Sequence, residues 1–254
     1  MPGPVQAIER AAAILRLLAR GSGRLGVGEI AASLDLAKGT AHGILRTLHG
    51  VGFVEQDAAT GKYQLGAALL HLGTSYLDVN ELRSRATNWA DALAARSSEA
   101  VRIGTPLEGN VLVVHHVFRP DDTLQTLDVG SLLPLHATAL GKVLLAYDTD
   151  LAASAQRADL PSLTRRTIVN SSALSRALAQ VREHGWAADA EEYMPGEAGI
   201  AAPIRSYGGL VVGAIGITGA VERLCDGRLR PRPELVTHVR SAARAVSRDL
   251  GAGR

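Results

Sequence analysis

The chain has 254 residues, 46% of them apolar, which suits one large folded domain or two ordinary ones and excludes a mainly disordered protein. Its single cysteine, Cys225, excludes an intrachain disulfide, and no apolar run reaches the roughly 18–20 residues that cross a bilayer. The net charge of +2 lies entirely in residues 1–66, where seven Lys and Arg face five Asp and Glu, while the other residues hold twenty of each.

Three helices are predicted in the first 50 residues. Residues 5–19 predict the first helix, and its apolar stripe consists of Ile8, Ala11, Ala12, Leu15 and Leu18. Residues 29–34 have the pattern of a short helix with one buried face, which a turn at residues 35–36 ends. A third helix opens at Lys38, and its buried side consists of Ala41, Ile44, Leu45 and Leu48.

The other face of this third helix is small, polar and basic, and it carries no acid that would repel phosphates. Residues 53–56 and 62–65 alternate like two half-buried strands around a turn. This order of elements is typical of a winged helix-turn-helix, whose second helix enters the DNA major groove. The competing interpretation is a small α/β module with a solvated polar face.

The sequence also predicts which residues contact DNA. The expected set is Lys38, Gly39, Thr40, Ala41, His42, Arg46, Thr47 and Lys62. Phosphate contacts are expected from Lys38, Arg46 and Lys62, and base contacts from Thr40, Ala41, His42 and Arg46. Gly39 and Gly43 weaken a helix by about 1 kcal/mol each, so we expect them to allow close approach to the duplex or to a neighbouring helix.

The rest of the chain predicts a second domain. Residues 67–77 predict a connecting helix, and residues 81–97 predict another long helix. Strands are then predicted at 111–118, 124–129, 199–204 and 210–218, with helices at 136–147, 174–184 and 234–250. A hairpin-like turn at residues 207–209 indicates an antiparallel sheet with packed helices, an α+β architecture. The predicted domains are residues 4–66, a linker at 67–80, and residues 81–254.

Motifs for enzymatic chemistry are incomplete. His136 and Val143 stand where a phosphate-binding loop around Gly141-Lys142 would need Gly and Ser or Thr. His115 and His116 lie in one predicted strand and point to opposite faces, so they cannot share a metal. We therefore expect no catalytic site, metal or cofactor. The alternative, a small-molecule enzyme with an accessory DNA-binding domain, would need a reactive cluster in residues 81–254.

The whole chain resembles the IclR family of bacterial transcriptional regulators. The matching blocks are VQAIERAAAILRLLA, LAKGTAHGILRTL, GFVEQD…GKYQLG, PLHATALGKVLLA, GWAADAEE and IAAPI…VGAIGITG. The resemblance implies an N-terminal winged helix-turn-helix, a linker helix and a C-terminal GAF-like effector-binding domain. It also implies a homodimer or homotetramer that binds double-stranded operator DNA and a small metabolite.

Some stretches, among them AKGTAHGILRTL and VLVVHHVFRPDD, are most similar to family members that regulate glycerol operons. That similarity implies a repressor of glycerol catabolic genes whose effector is glycerol 3-phosphate. The alternatives are an activator, or a regulator of another carbon-catabolism operon that senses a small organic acid or an aromatic. The first ten residues lack the apolar core of a signal peptide, and we expect a cytoplasmic protein without membrane contact.

The resemblance also implies an effector pocket. Its residues are Thr138, Ala139, Leu140, Asp189, Gly199, Gly216 and Thr218. Some relatives have cysteine or serine where this chain has Gly199 and Gly216, which implies a roomier pocket here. The helix start at residues 136–139 offers amides to an anion, Asp189 offers a carboxylate to hydroxyl groups, and the candidate cations are Lys142, Arg102 and Arg205. Together these features predict a polyol phosphate.

Overall fold

A computed structural model describes residues 5–19, 23–69, 77–121 and 125–252. The chain divides into two compact units, Met1–Leu77 and Asp78–Arg254. The division falls inside the predicted linker, and residues 70–76 of that linker lie outside the described residues. No helix among the described residues is both long and apolar enough to cross a membrane.

The N-terminal unit has the predicted order of elements. They are α1 (Gln6–Leu18), α2 (Val27–Ser33), α3 (Lys38–Gly50), β1 (Val54–Gln56) and β2 (Tyr63–Leu65). The two strands are antiparallel, with Val54 opposite Leu65. Asp35, at a φ of 50°, forms the turn between α2 and α3, a backbone region that Asp tolerates better than most residues. The prediction of a winged helix-turn-helix is confirmed.

The core of this unit lies between α1, α2, α3 and the hairpin. Its buried residues are Ile14, Leu18, Ile30, Leu45, Leu48, Val54 and Tyr63. The predicted stripe on α1 is partly wrong, because Ile14 is fully buried whereas Ile8 is 68% exposed. Ile8 lies in the first turn of α1, and only the later turns pack against α3 and β2.

The C-terminal unit is a six-stranded antiparallel sheet with helices on both faces. In chain order its elements are α4 (Leu77–Ser97), β3 (Ala100–Leu107), β4 (Asn110–Val117), β5 (Leu132–Pro134), α5 (Ala139–Tyr147), α6 (Thr149–Arg157), α7 (Ser171–His184), β6 (Ala187–Ala190), β7 (Glu197–Arg205), β8 (Val211–Ala220), α8 (Val221–Leu224) and α9 (Pro233–Asp249). The strand order is β5-β4-β3-β8-β7-β6. This architecture confirms the α+β prediction.

Alternation along the strands separates two cores. One face carries Ile103, Ile200 and Ile215, and α4 and α9 pack against it. The other carries smaller residues such as Ala201 and Ala214, and α5 and α7 pack against that face. Small side chains on the second face leave room beside α5, where the candidate effector site lies.

Several predicted elements needed correction. The strand predicted at 124–129 is wrong for its described residues, which form a loop and a turn before β5. The turn follows from Gly130, at a φ of 87°. The sequence missed β3, β5, α6, β6 and α8. In β3, Pro106 weakens the strand pattern, but it lies beyond Gly104, the last residue that pairs with β8, so its missing N–H interrupts no ladder there.

Candidate functional site

The exposed face of α3 carries most of the residues predicted to contact DNA. Lys38, His42, Arg46 and Thr47 are exposed, and Thr40 is partly exposed. Ala41 is 0% exposed, because it packs into the core on the same side as Leu45 and Leu48. The expectation that Ala41 reads bases is therefore wrong, since its side chain is closed off from a bound duplex.

Gly39 and Gly43 have open space where a side chain would begin. A Cβ added at either residue would meet no atom of the described chain within 4 Å. No neighbouring helix among the described residues therefore requires glycine at these positions. Close approach to a duplex is the interpretation that remains.

The hairpin places Lys62 beside α2. Its Nζ lies 3.9 Å from the Glu29 carboxylate, and Glu29 also accepts the Gly26 N–H at 2.6 Å at the start of α2. Both partners of the ion pair are about half exposed, and exposed pairs contribute little stability. Such a pair leaves Lys62 able to exchange Glu29 for a phosphate.

All seven predicted effector residues line one cavity. It is a narrow cavity of about 30 Å³ between the sheet and the start of α5. Asp189, Gly199 and Thr218 lie in register across β6, β7 and β8, and Gly216 lies next to Arg102 of β3. The lining residues that sequence reasoning missed are Leu133, Tyr193, Glu197, Ile200, Ala201 and Ile217. We call this space the effector cavity.

Asp189 is the buried acid of the effector cavity. Burial raises the pKa of its carboxyl to about 6, an effect that the positive charge of Lys142 partly opposes. Its Oδ2 accepts the Ala139 N–H at 2.7 Å. That amide, which was expected to receive an anion, is therefore already bound to a carboxyl of the protein.

Two further amides at the start of α5 are also bound within the protein. The Thr138 hydroxyl accepts the Gly141 N–H at 3.1 Å and donates to the Pro134 carbonyl at 2.8 Å. The Lys142 N–H donates to the Thr138 carbonyl oxygen. Three amides of this helix start are thus bound within the protein, which leaves fewer donors for an anion than the sequence predicts.

The two glycines of the effector cavity do not enlarge it. A Cβ at Gly199 would lie 2.6 Å from Asp189 Oδ2, and one at Gly216 would lie 2.6 Å from the Ile200 carbonyl oxygen. The missing side chain at Gly199 thus makes room for Asp189 rather than for a ligand. The expectation of a roomier pocket is wrong for this reason.

Of the three candidate cations, only Arg102 lines the effector cavity. Lys142 donates to Glu192 at 2.6 Å, and Arg205 lies 4.6 Å over the Tyr147 ring; neither is among the lining residues. The Arg102 Nε–H donates to Asp128 Oδ2 at 2.7 Å, and Nη2 lies 2.6 Å from the same oxygen in an ion pair. The lining of the effector cavity therefore includes one of the three candidate cations.

The two adjacent histidines lie on opposite faces of β4, as predicted. His115 pairs with Ile103 and His116 with Arg102. Burial lowers the pKa of both imidazoles. Within the described ranges, no group of three His, Cys, Asp or Glu is placed to hold a metal ion.

Comparison with known proteins covers both units. Residues 7–58 match the IclR helix-turn-helix domain, and residues 74–248 match the family described as bacterial transcriptional regulator IclR C-terminal. The chain belongs to the IclR family. As an IclR-family protein it is a transcriptional regulator rather than an enzyme, and the family architecture combines DNA binding with a small-molecule effector.

Relatives of this IclR-family chain match it over nearly its whole length. It is 59% identical to the glycerol operon regulatory protein of Streptomyces coelicolor, over 98% of each chain. It is 55% identical to the protein of the same name from Streptomyces griseus, again over 98% of each. Among solved structures, an IclR transcriptional regulator from Alicyclobacillus acidocaldarius superposes with a TM-score of 0.82 at 26% identity, over 98% of this chain and 100% of that one.

Proposed function

We propose that this protein represses a glycerol catabolic operon and responds to glycerol 3-phosphate. The similarity to two glycerol operon regulatory proteins supports the target operon. The observation that carries the effector is the composition of the effector cavity, which combines Asp189, two threonine hydroxyls and one guanidinium. A small polyol with a single anionic group matches that composition.

Each part of glycerol 3-phosphate has a matching group in this proposal. Asp189 accepts hydrogen bonds from the hydroxyl groups of the ligand, and Thr138 and Thr218 supply further polar atoms. Arg102 binds the phosphate, because a guanidinium matches phosphate oxygens in a forked, charge-assisted geometry. A hydrophobic acid or an aromatic would leave these polar groups without partners, which lowers affinity.

DNA binding is divided between two kinds of contact in this proposal. Lys38, Arg46 and Lys62 bind phosphates, which supplies affinity without sequence preference. Thr40, His42 and Arg46 read base edges, and Gly39 and Thr47 complete the contact surface. The protein acts on its operator in the cytoplasm as a homodimer or homotetramer, and paired recognition helices fit half-sites one DNA turn apart.

Isothermal titration of the full chain with glycerol 3-phosphate tests the effector directly. We expect the wild type to bind it, and Asp189→Ala to weaken binding about tenfold, because the hydroxyl acceptor is lost. Asp159→Ala is the matched control, since Asp159 is an exposed carboxylate in the same unit. Wild-type binding that Asp189→Ala leaves unchanged would refute the role of Asp189. Absence of wild-type binding, with binding of an organic acid or an aromatic instead, would favour the alternative effectors.

A further inference from the structure

The ion pair between Arg102 and Asp128 is the feature of the C-terminal unit that the proposed function leaves unexplained. Two guanidinium nitrogens, Nε at 2.7 Å and Nη2 at 2.6 Å, contact one carboxylate oxygen of Asp128. The side chains are 20% and 23% exposed, so they are largely shielded from water. Shielding strengthens the attraction between two charges compared with a surface pair.

Arg102 lies where two cavities meet. On one side is the effector cavity. On the other is a larger, more open cavity of about 630 Å³, the outer cavity, which Asp128 and His116 help to line. Arg102, Glu197 and Thr218 line both cavities. Asp128 lines the outer cavity but not the effector cavity. Arg102 is therefore a lining residue of the effector cavity whose guanidinium is bound to a carboxylate of the outer cavity.

The charges that line the effector cavity make the binding of an anion depend on the Arg102 guanidinium. Arg102 is the one cation among its lining residues, and the lining also contains the carboxyls of Asp189 and Glu197. A phosphate there would meet two acids and a single positive charge. That positive charge is at present neutralised by Asp128, so an anion can bind well only by taking the place of this carboxylate.

We propose that Asp128 is an internal competitor of the effector, and that a phosphate group binds by replacing Asp128 on Arg102. The inference rests on the proposed function for the identity of the ligand, but its chemistry requires only a phosphate or a phosphomonoester. Two phosphate oxygens accept hydrogen bonds from Nε and Nη2, the two nitrogens that Asp128 Oδ2 contacts now. The released carboxylate turns toward water in the outer cavity.

The backbone around Asp128 allows a local exchange of this kind. The Asp128 N–H donates to His116 Nδ1 at 3.1 Å, and the Asp128 carbonyl accepts the Ser131 N–H at 2.9 Å. The Gly130 N–H donates to the Val113 carbonyl at 2.8 Å. These bonds do not involve Arg102, so the turn keeps its place when the Asp128 side chain leaves the guanidinium.

This turn is also close in the chain to the effector cavity. Residues 128–131 lead directly into β5, whose Leu133 lines the cavity, and then to Thr138 at the start of α5. Replacement of Asp128 therefore changes the electrostatic environment of the segment that enters the ligand site. The exchange gives the unit two charge arrangements, one with Asp128 on Arg102 and one with the ligand there.

The test uses two variants of the full chain with opposite expected effects. Asp128→Asn removes the competing charge, and we expect it to lower the Kd for glycerol 3-phosphate about tenfold. Arg102→Gln removes the cation, and we expect it to raise that Kd at least tenfold. Neither variant should change the affinity for glycerol, which has no phosphate. Asp159→Asn and Arg166→Gln serve as controls, because both residues are largely exposed and neither lines the effector cavity.

The outcomes separate this inference from the proposed function. If the wild type binds glycerol 3-phosphate and Asp128→Asn binds it no better, the competitor role is overturned. Titration with inorganic phosphate provides a second probe that does not depend on the polyol. Another outcome is that the wild type fails to bind glycerol 3-phosphate while the Kd for inorganic phosphate falls in Asp128→Asn and rises in Arg102→Gln. That result would refute the proposed effector and support the exchange. Identical phosphate affinity in both variants overturns the exchange.

Discussion

At the scale of single residues, Asp189 is subject to opposing electrostatic effects in the effector cavity. Its carboxyl is buried, which raises its pKa to about 6, yet its Oδ2 also accepts the Ala139 N–H. The folded protein therefore holds this proton more tightly than the unfolded chain, in which the pKa is near 3.8. As the pH rises through that interval, the folded state loses the proton later than the unfolded state, so this group makes the fold less stable.

We therefore predict that Asp189→Asn gains stability relative to the wild type as the pH rises. The difference should grow between about pH 4 and pH 6.5 and then level off, reaching at most about 3 kcal/mol for a pKa shift of this size. Urea unfolding followed by tryptophan fluorescence measures it, because Trp89 and Trp186 both belong to the C-terminal unit. Asp159→Asn is the control. A difference that stays constant across this range would contradict the account.

The sequence predicts many residues of the effector cavity, and the details that it misses depend on how distant segments of the chain pack together. The seven effector residues came from a resemblance, and the structure brings them to one cavity. The pairing of Gly199 with Asp189 was not predictable, because it depends on the register of β6 against β7. Arg102 could not be separated from Lys142 and Arg205, because its strand was itself missed. The sequence pattern places Ala41 both on the buried side of α3 and among its base contacts, and the structure buries it in the core.

The helix α3 combines a buried apolar side with three glycines, Gly39, Gly43 and Gly50, that no neighbour among the described residues requires. Glycine inside a helix costs about 1 kcal/mol relative to alanine, and a Cβ at Gly43 would meet no atom of the described chain within 4 Å. We predict that Gly43→Ala raises the temperature of calorimetric unfolding and at the same time weakens DNA binding, because the added methyl group separates α3 from the duplex.

Gly50→Ala is the matched control for that prediction. Gly50 is the last residue of α3 and its added Cβ also meets open space, so its substitution should leave DNA affinity unchanged. Fluorescence anisotropy of labelled operator DNA measures both variants. Gly43→Ala binding as tightly as the wild type would show that the glycine serves no close approach.

The elements themselves differ in how far the sequence predicts them. Long amphipathic helices and strongly apolar strands, such as α9 and β4, appear within a few residues of their predicted bounds. The three residues of β5 are too few to show an alternation, and residues 125–128, although part of a predicted strand, form a loop. Local pattern finds elements that carry their own periodicity, whereas short strands depend on a partner that is distant in sequence.

The whole molecule joins a DNA-binding unit to an effector-binding unit in one chain. Regulation requires that the effector bind the DNA-competent and DNA-incompetent arrangements with different affinity, since a ligand with equal affinity for both shifts nothing. The coupling is reciprocal, so DNA must change the affinity for the effector by the same factor. A coupling of 1–3 kcal/mol, typical of allosteric proteins, corresponds to roughly 5–150-fold.

The most direct measurement is the anisotropy of labelled DNA from upstream of this gene and of any adjacent glycerol genes. The full chain is titrated at two salt concentrations, with and without glycerol 3-phosphate. We predict tight binding that weakens steeply with salt, as phosphate contacts require, and a Kd that glycerol 3-phosphate changes at least fivefold. A Kd equal to that for random DNA, or one that glycerol 3-phosphate leaves unchanged, would contradict the account.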